Sequence, residues 1–154
     1  MDKLITDSRI KHMHGVAEYM YQNADKYNLD KNEMYVLGLL HDVGYINGKP
    51  FHEEFGADLL NNIGIPLFIS DTVRWHGTTP QEYLDSHMTW DNYIPPQLIL
   101  LWEADMHIDQ TGEDVGYDAR LEDIGNRLGF DSEPYRICSE TIEWLKQQEV
   151  KANE

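Results

Sequence analysis

Between Asp7 and Tyr27 the residues Ile10, Met13, Val16, Ala17, Met20 and Ala24 recur three and four positions apart, which places them on one helix face. The spacing predicts a first helix over that segment. Asn28-Leu29-Asp30 interrupts it, and Asp30 with Glu33 has the D-x-x-E form of a capping box, in which side chains satisfy the free amides of a helix start. A second helix then runs to about Asp42 and is almost wholly apolar over Val36–Leu40, so its carboxyl end is expected in the interior, carrying His41 and Asp42 with it. Tyr45–Phe51, with Asn47-Gly48-Lys49-Pro50, reads as a turn. A third helix is predicted over His52–Asn62, closed by Gly64, and a fourth over Leu67–His76 after Ile65-Pro66. Gly77–Tyr93 is polar and aperiodic and reads as a long loop, of a length that suits a functional segment. After Pro95-Pro96, Gln97–His107 is the most apolar stretch and again ends in polar residues. Asp114–Tyr117 is expected as a loop, and amphipathic helices over Asp118–Leu128 and Pro134–Gln148 complete the chain. With no repeat, linker or period-two strand, the pattern predicts one all-α domain over residues 1–154, of about six to seven helices. Its core is expected over residues 8–109, with C-terminal helices over 118–148.

A length of 154 residues fits one domain, and 41% apolar residues with 4 Trp, 9 Tyr and 4 Phe suffice for a core. The charge changes the picture more. Twelve Lys and Arg against 28 Asp and Glu give −16, a field that repels phosphodiester backbones and argues against a nucleic-acid partner. An acidic chain that handles phosphates needs added positive charge, and metal ions are the usual source. Cys138 is the only cysteine, which excludes an internal disulfide and a cysteine-based zinc cluster. MDKLITDSRIKHMHG has no apolar core of a signal sequence, and runs such as Leu98–Trp102 fall far short of the roughly 20 residues of a membrane helix. A cytoplasmic protein without a membrane partner is expected.

Six residues carry candidate chemistry: His12, His41, Asp42, His52, His76 and Asp105. His41 and Asp42 follow Val-Leu-Gly-Leu-Leu, and an isolated buried carboxylate costs several kcal/mol unless it is paired or bound to a metal. Asp105 repeats that situation at the end of Leu98–Ala104. Imidazole nitrogens and carboxylate oxygens converging on one buried point suit iron or manganese before nickel, cobalt or magnesium. His14, His87 and His107 read as ordinary histidines. Arg74, Lys49, Arg9 and Arg120 are basic residues near the candidates in sequence, and Thr78 and Thr79 offer hydroxyls to a substrate. Trp75, Tyr83 and Trp90 offer rings to a base, and aromatics within Gly77–Tyr93 offer a lid or homodimer surface.

The order His12 … His41-Asp42 … Asp105, with Arg9-x-x-His12-x-x-x-Val16 and Leu39-Leu40-His41-Asp42-Val43-Gly44, resembles the HD-domain metal-dependent phosphohydrolase superfamily. His52 in Phe51-His52-Glu53-Glu54 and His76 in Arg74-Trp75-His76-Gly77 resemble its two-metal branch, which includes bacterial symmetrical diadenosine tetraphosphate hydrolases. Tyr45 stands where those hydrolases usually carry a lysine. The resemblance implies that His12, His41, Asp42 and Asp105 hold one divalent transition metal, and that Asp42 bridges to a second held by His52 and His76. His41 and Asp42 then lie at the reaction centre, where a metal-bridging hydroxide hydrolyses a phosphoester or phosphoanhydride of a small, nucleotide-like substrate. Arg74, Thr78 and Lys49 are the substrate-binding candidates. Two other readings stay open: a single-metal nucleoside monophosphate phosphatase, and a metal- or nucleotide-binding regulatory module without turnover.

Overall fold

The computed structural model describes residues 5–48, 50–88 and 91–153. Over these residues the chain forms eight α-helices: α1 (Asp7–Asn23), α2 (Lys31–Leu40), α3 (His52–Asn62), α4 (Leu67–Trp75), α5 (Pro80–His87), α6 (Pro96–Asp105), α7 (Gly116–Leu128) and α8 (Glu133–Ala152). Single 3-10 turns at Ala24–Tyr27 and Val43–Asn47 follow α1 and α2. Among the described residues there is no strand, only an isolated bridge between Ile108 and Asp114. The all-helical class read from the periodicity is therefore the observed one. Among the same residues no helix is long and apolar enough to cross a membrane.

Side-chain caps fix several starts: Thr6 accepts from the Arg9 amide, Asp30 from Glu33, Thr79 from Glu82 and Ser132 from Tyr135. The Thr79 cap marks a departure from expectation. Gly77–Tyr93, read from its pattern as a loop, contains α5, which raises the helix count above the one expected. Eight residues are too few to display a 3.6-residue period, but Thr79-Pro80-Gln81-Glu82 combines a capping box with proline in the first turn. Tertiary contact completes α5, because Tyr83 is buried with its ring stacked on His87 and edge-on to Trp75.

α1 lies along α2, and a β-carbon on Gly38 would come within 2.8 Å of the Ala17 Cα, so this crossing is as close as two backbones allow. α3 packs on α4, and α7 on α8. Val16, Met20, Leu37, Leu60 and Val73 form one core, and Ile94, Met106, Tyr117, Ile124 and Leu145 a second. α6 serves both, Leu100, Leu101 and Ala104 facing the first and Leu98 and Trp102 the second. A helix enclosed on both sides must be apolar all round, which is why Leu98–Ala104 has so little amphipathic pattern. The carboxyl ends of α2, α4 and α6 meet at the seam between the cores, bringing His41, His76 and Asp105 together. His12 comes from the middle of α1 and His52 from the first position of α3.

Candidate metal centre

Helix ends set the direction of the imidazoles. His41 directs Nδ1 to the Gly38 carbonyl at 2.7 Å, and His76 makes the same bond to the Val73 carbonyl. His12 Nδ1 lies 3.2 Å from the Asp109 carbonyl. A carbonyl can only accept, so each Nδ1 carries a proton and each Nε2 is the ring nitrogen turned to the centre. Trp102 of α6 fixes the carboxyl end of α4 by donating its indole N–H to the His76 carbonyl at 3.1 Å.

Asp42, buried at the seam, divides its oxygens between two pairs of imidazoles. Oδ2 lies 3.2 Å from His41 Nε2 and 3.8 Å from His12 Nε2. Oδ1 lies 3.4 Å from His76 Nε2 and 3.6 Å from His52 Nε2. Asp105 Oδ1 is 2.8 Å from His12 Nε2 and 3.6 Å from His41 Nε2. The result is two triads sharing one carboxylate, His12/His41/Asp42 and Asp42/His52/His76, each with its donor atoms within 4.8 Å of one another.

Charge compensation here is local. Burial works against an ionised Asp42, but the His41 and His76 imidazoles outweigh it and hold the carboxyl well below the usual range. Burial likewise opposes ionisation of Asp105, and His12 and His41 reverse it. His41 is pushed up to about 10, because the Asp42 and Asp105 carboxylates overcome the desolvation that disfavours its cation. Even so, His41 Nε2 is buried without a hydrogen-bond partner. A buried ring nitrogen without a hydrogen-bond partner, facing three other imidazoles and two carboxylates that favour a positive charge there, belongs to a donor set that a divalent transition metal fits. The carboxyl-terminal dipole ends of α2, α4 and α6 favour a cation at the same point.

A cavity of about 470 Å³ opens over the centre, floored by Asp42, His52, His76 and Asp105. On one side Arg9 donates to Asp42 Oδ2 at 3.1 Å and lies 4.1 Å above the Tyr45 ring, which stacks on His52 at 4.1 Å. Tyr45 thus supplies a platform where a lysine would have supplied charge, and Arg9 supplies the charge instead. Thr78 lines the cavity, its hydroxyl donating to the Trp75 carbonyl at 2.9 Å. Arg74 does not line it and is bonded to Asp58 of α3 at 2.6 Å. Lys49 and Trp90 lie outside the described residues. Thr79 is occupied in capping α5, and Trp75 and Tyr83 line a separate groove with Leu67 and Phe68. His107 donates to the Glu103 carbonyl, stacks on Tyr19 and packs against Tyr117, and His14 is exposed, as ordinary histidines would be.

Phe51, Arg127 and Cys138 are among the lining residues that the sequence does not mark. Phe51 is 73% exposed, with φ of 62° in the left-handed region that disfavours a bulky side chain. Arg127 and Cys138 reach the opposite wall from α7 and α8. Burial and the Asp105 carboxylate push the Cys138 thiol up to about 12, so it forms neutral wall and no thiolate nucleophile. No spacing rule points to Arg127 and Cys138, since neither belongs to the helix ends that define the centre, and Phe51, the N-cap of α3 before His52, carries no polar group to mark it. The family model described as HD domain matches residues 9–108. Comparisons with curated proteins and with solved structures find no match.

Proposed function

The chain belongs to the HD domain family, and from that premise we propose that it is a two-metal phosphohydrolase acting on a small, nucleotide-like phosphorylated molecule. The observation that carries this reading is the division of Asp42, one oxygen toward His12 and His41 and the other toward His52 and His76. His12, His41, Asp42 and Asp105 would hold one ion, and Asp42, His52 and His76 the second. Divalent ions at such a centre supply Lewis acidity, activating water and neutralising phosphoryl oxygens.

The chain's own groups do the rest. The Nδ1 bonds of His12, His41 and His76 to backbone carbonyls keep each imidazole in one tautomer and orientation, which raises its strength as a ligand. Arg9 is placed to meet an anionic oxygen that approaches Asp42, and its stacking on Tyr45 keeps it extended over the cavity. Thr78 offers a hydroxyl beside His76. In the overall reaction a water oxygen bonds to phosphorus, the bond to the leaving oxygen breaks, and that oxygen takes up a proton. A strongly acidic chain tolerates this substrate because the positive charge is concentrated inside the cavity.

The test is elemental analysis of protein purified without chelator, run beside phosphate release from mononucleotides and dinucleoside polyphosphates. About two transition-metal ions per chain with turnover is the expected result. One ion with turnover of monophosphates alone would favour a single-metal phosphatase, and metal without turnover a binding module. Failure to take up any metal would refute the assignment.

A further inference from the structure

The family match ends at residue 108, yet the cavity wall facing the metal centre comes from beyond it. α7 turns Arg120, Ile124, Arg127 and Leu128 toward the cavity, positions i, i+4, i+7 and i+8 of one helix face, and α8 adds Ile137 and Cys138. Arg120 is only 4% exposed. Its Nε donates to the Asp105 carbonyl at 3.0 Å, and Nη2 lies 3.8 Å from Asp105 Oδ1. Nη1 is buried with no hydrogen-bond acceptor, the nearest carboxylate oxygen of Asp123 standing 3.7 Å away. A buried guanidinium N–H left unmade is costly, and it is kept here beside a candidate metal ligand in a cavity wall. The Asp105 contacts use Nε and Nη2, and the Asp123 carboxylate faces Nη1 as an ion pair too long to be a hydrogen bond, so the Nη1 donors remain unbonded. The same wall carries Arg127 and Thr141 and is apolar through Ile124, Leu128, Ile137 and the neutral thiol.

We infer that α7 and α8 select the substrate: Arg120 Nη1 donates to an anionic group adjacent to the reacting phosphoryl, while Leu128 and Ile137 pack against an apolar end of the same molecule. The substrate class is a phosphate ester or anhydride bearing a second anionic group and an apolar, flat portion. Arg127, two turns along the helix from Arg120, extends the cationic edge outward. Arg120 is then a specificity-determining residue for the proposed reaction, and the inference rests on the metal centre being where the phosphoryl group is held.

The experiment is calorimetric titration of the manganese-loaded protein with three probes that are not hydrolysed: inorganic phosphate, methylenediphosphonate and α,β-methylene-ADP. Arg120→Gln is expected to weaken the two bis-anionic probes about tenfold or more while changing inorganic phosphate less than about threefold. Leu128→Asn, at a position 44% exposed where folding is not at stake, is expected to weaken α,β-methylene-ADP alone. Manganese content is measured on each variant. Equal losses for all probes, no loss, or loss of manganese together with the probes would assign Arg120 to holding Asp105 and overturn the inference. The expected binding pattern without hydrolysis of any nucleotide would sink the phosphohydrolase reading and leave this one standing. Hydrolysis in which Arg120→Gln changes neither binding nor rate would do the reverse.

Discussion

Asp42 has four imidazole nitrogens within 3.8 Å of its two oxygens, and among the described residues it is the one member common to both triads. Its loss should therefore not be divisible. Asp42→Asn is expected to remove both ions and to cost more activity than the about 10–100-fold that follows loss of an outer-shell partner. His76→Ala takes a ligand from one triad only and should leave about one ion per chain, read by elemental analysis. Equal metal loss in both variants would show that the triads do not bind independently. Cys138 gives a second check at this scale, made on the metal-free protein. Because burial and Asp105 hold its thiol near 12, the alkylation rate should still climb about tenfold per pH unit between pH 9 and 10, where an ordinary thiol levels off. A plateau in that range would mean that the thiol faces water. The direction follows from the thiolate fraction, which keeps rising with pH until the raised pKa is reached.

The helices place the centre through their ends, so end chemistry is where they are vulnerable. Gly44 lies in the 3-10 turn after α2, and a β-carbon there would sit 1.7 Å from the His52 carbonyl oxygen and 2.8 Å from the Gly56 amide. Neither atom belongs to a flexible side chain, so α3 would have to move as a unit and carry His52 with it. Gly44→Ala should cost more than about 2 kcal/mol in urea unfolding and lower occupancy of the triad that contains His52. α5 depends on its cap, and Thr79→Ala should cost about 1 kcal/mol in the same measurement without altering metal content. The contrast separates a helix that builds the centre from one that covers a neighbouring groove. α5 also shows where pattern reading stops: its capping signal was present in Thr79-Pro80-Gln81-Glu82, but its packed face is only Pro80, Tyr83 and Leu84, completed by Trp75 of α4 from outside the helix.

At the scale of the molecule the two cores meet along α6, and the candidate ligands occupy that seam. An ion bound there ties α1, α2, α3, α4 and α6 to one point, so removing it should loosen the whole. Chelation is expected to lower the thermal midpoint, and manganese at about 100 times its dissociation constant should restore about 2.7 kcal/mol of stability. A midpoint indifferent to chelator and manganese would show that the histidines and carboxylates are held by one another alone. The sequence by itself determined the helical class and the caps at Asp30 and Glu33. It also singled out His41, Asp42 and Asp105, because a polar residue set directly after an apolar run is an anomaly that local pattern exposes, whereas His12, His52 and His76 were marked by the resemblance of their order to the HD family. Only the tertiary structure decided which oxygen of Asp42 faces which imidazole, that Arg74 turns to Asp58, and that Arg120, Arg127 and Cys138 form the far wall of the cavity. A side chain on an amphipathic helix takes its partner from whatever element packs beside it, and that choice is made by contacts distant in sequence, which spacing along one helix does not encode.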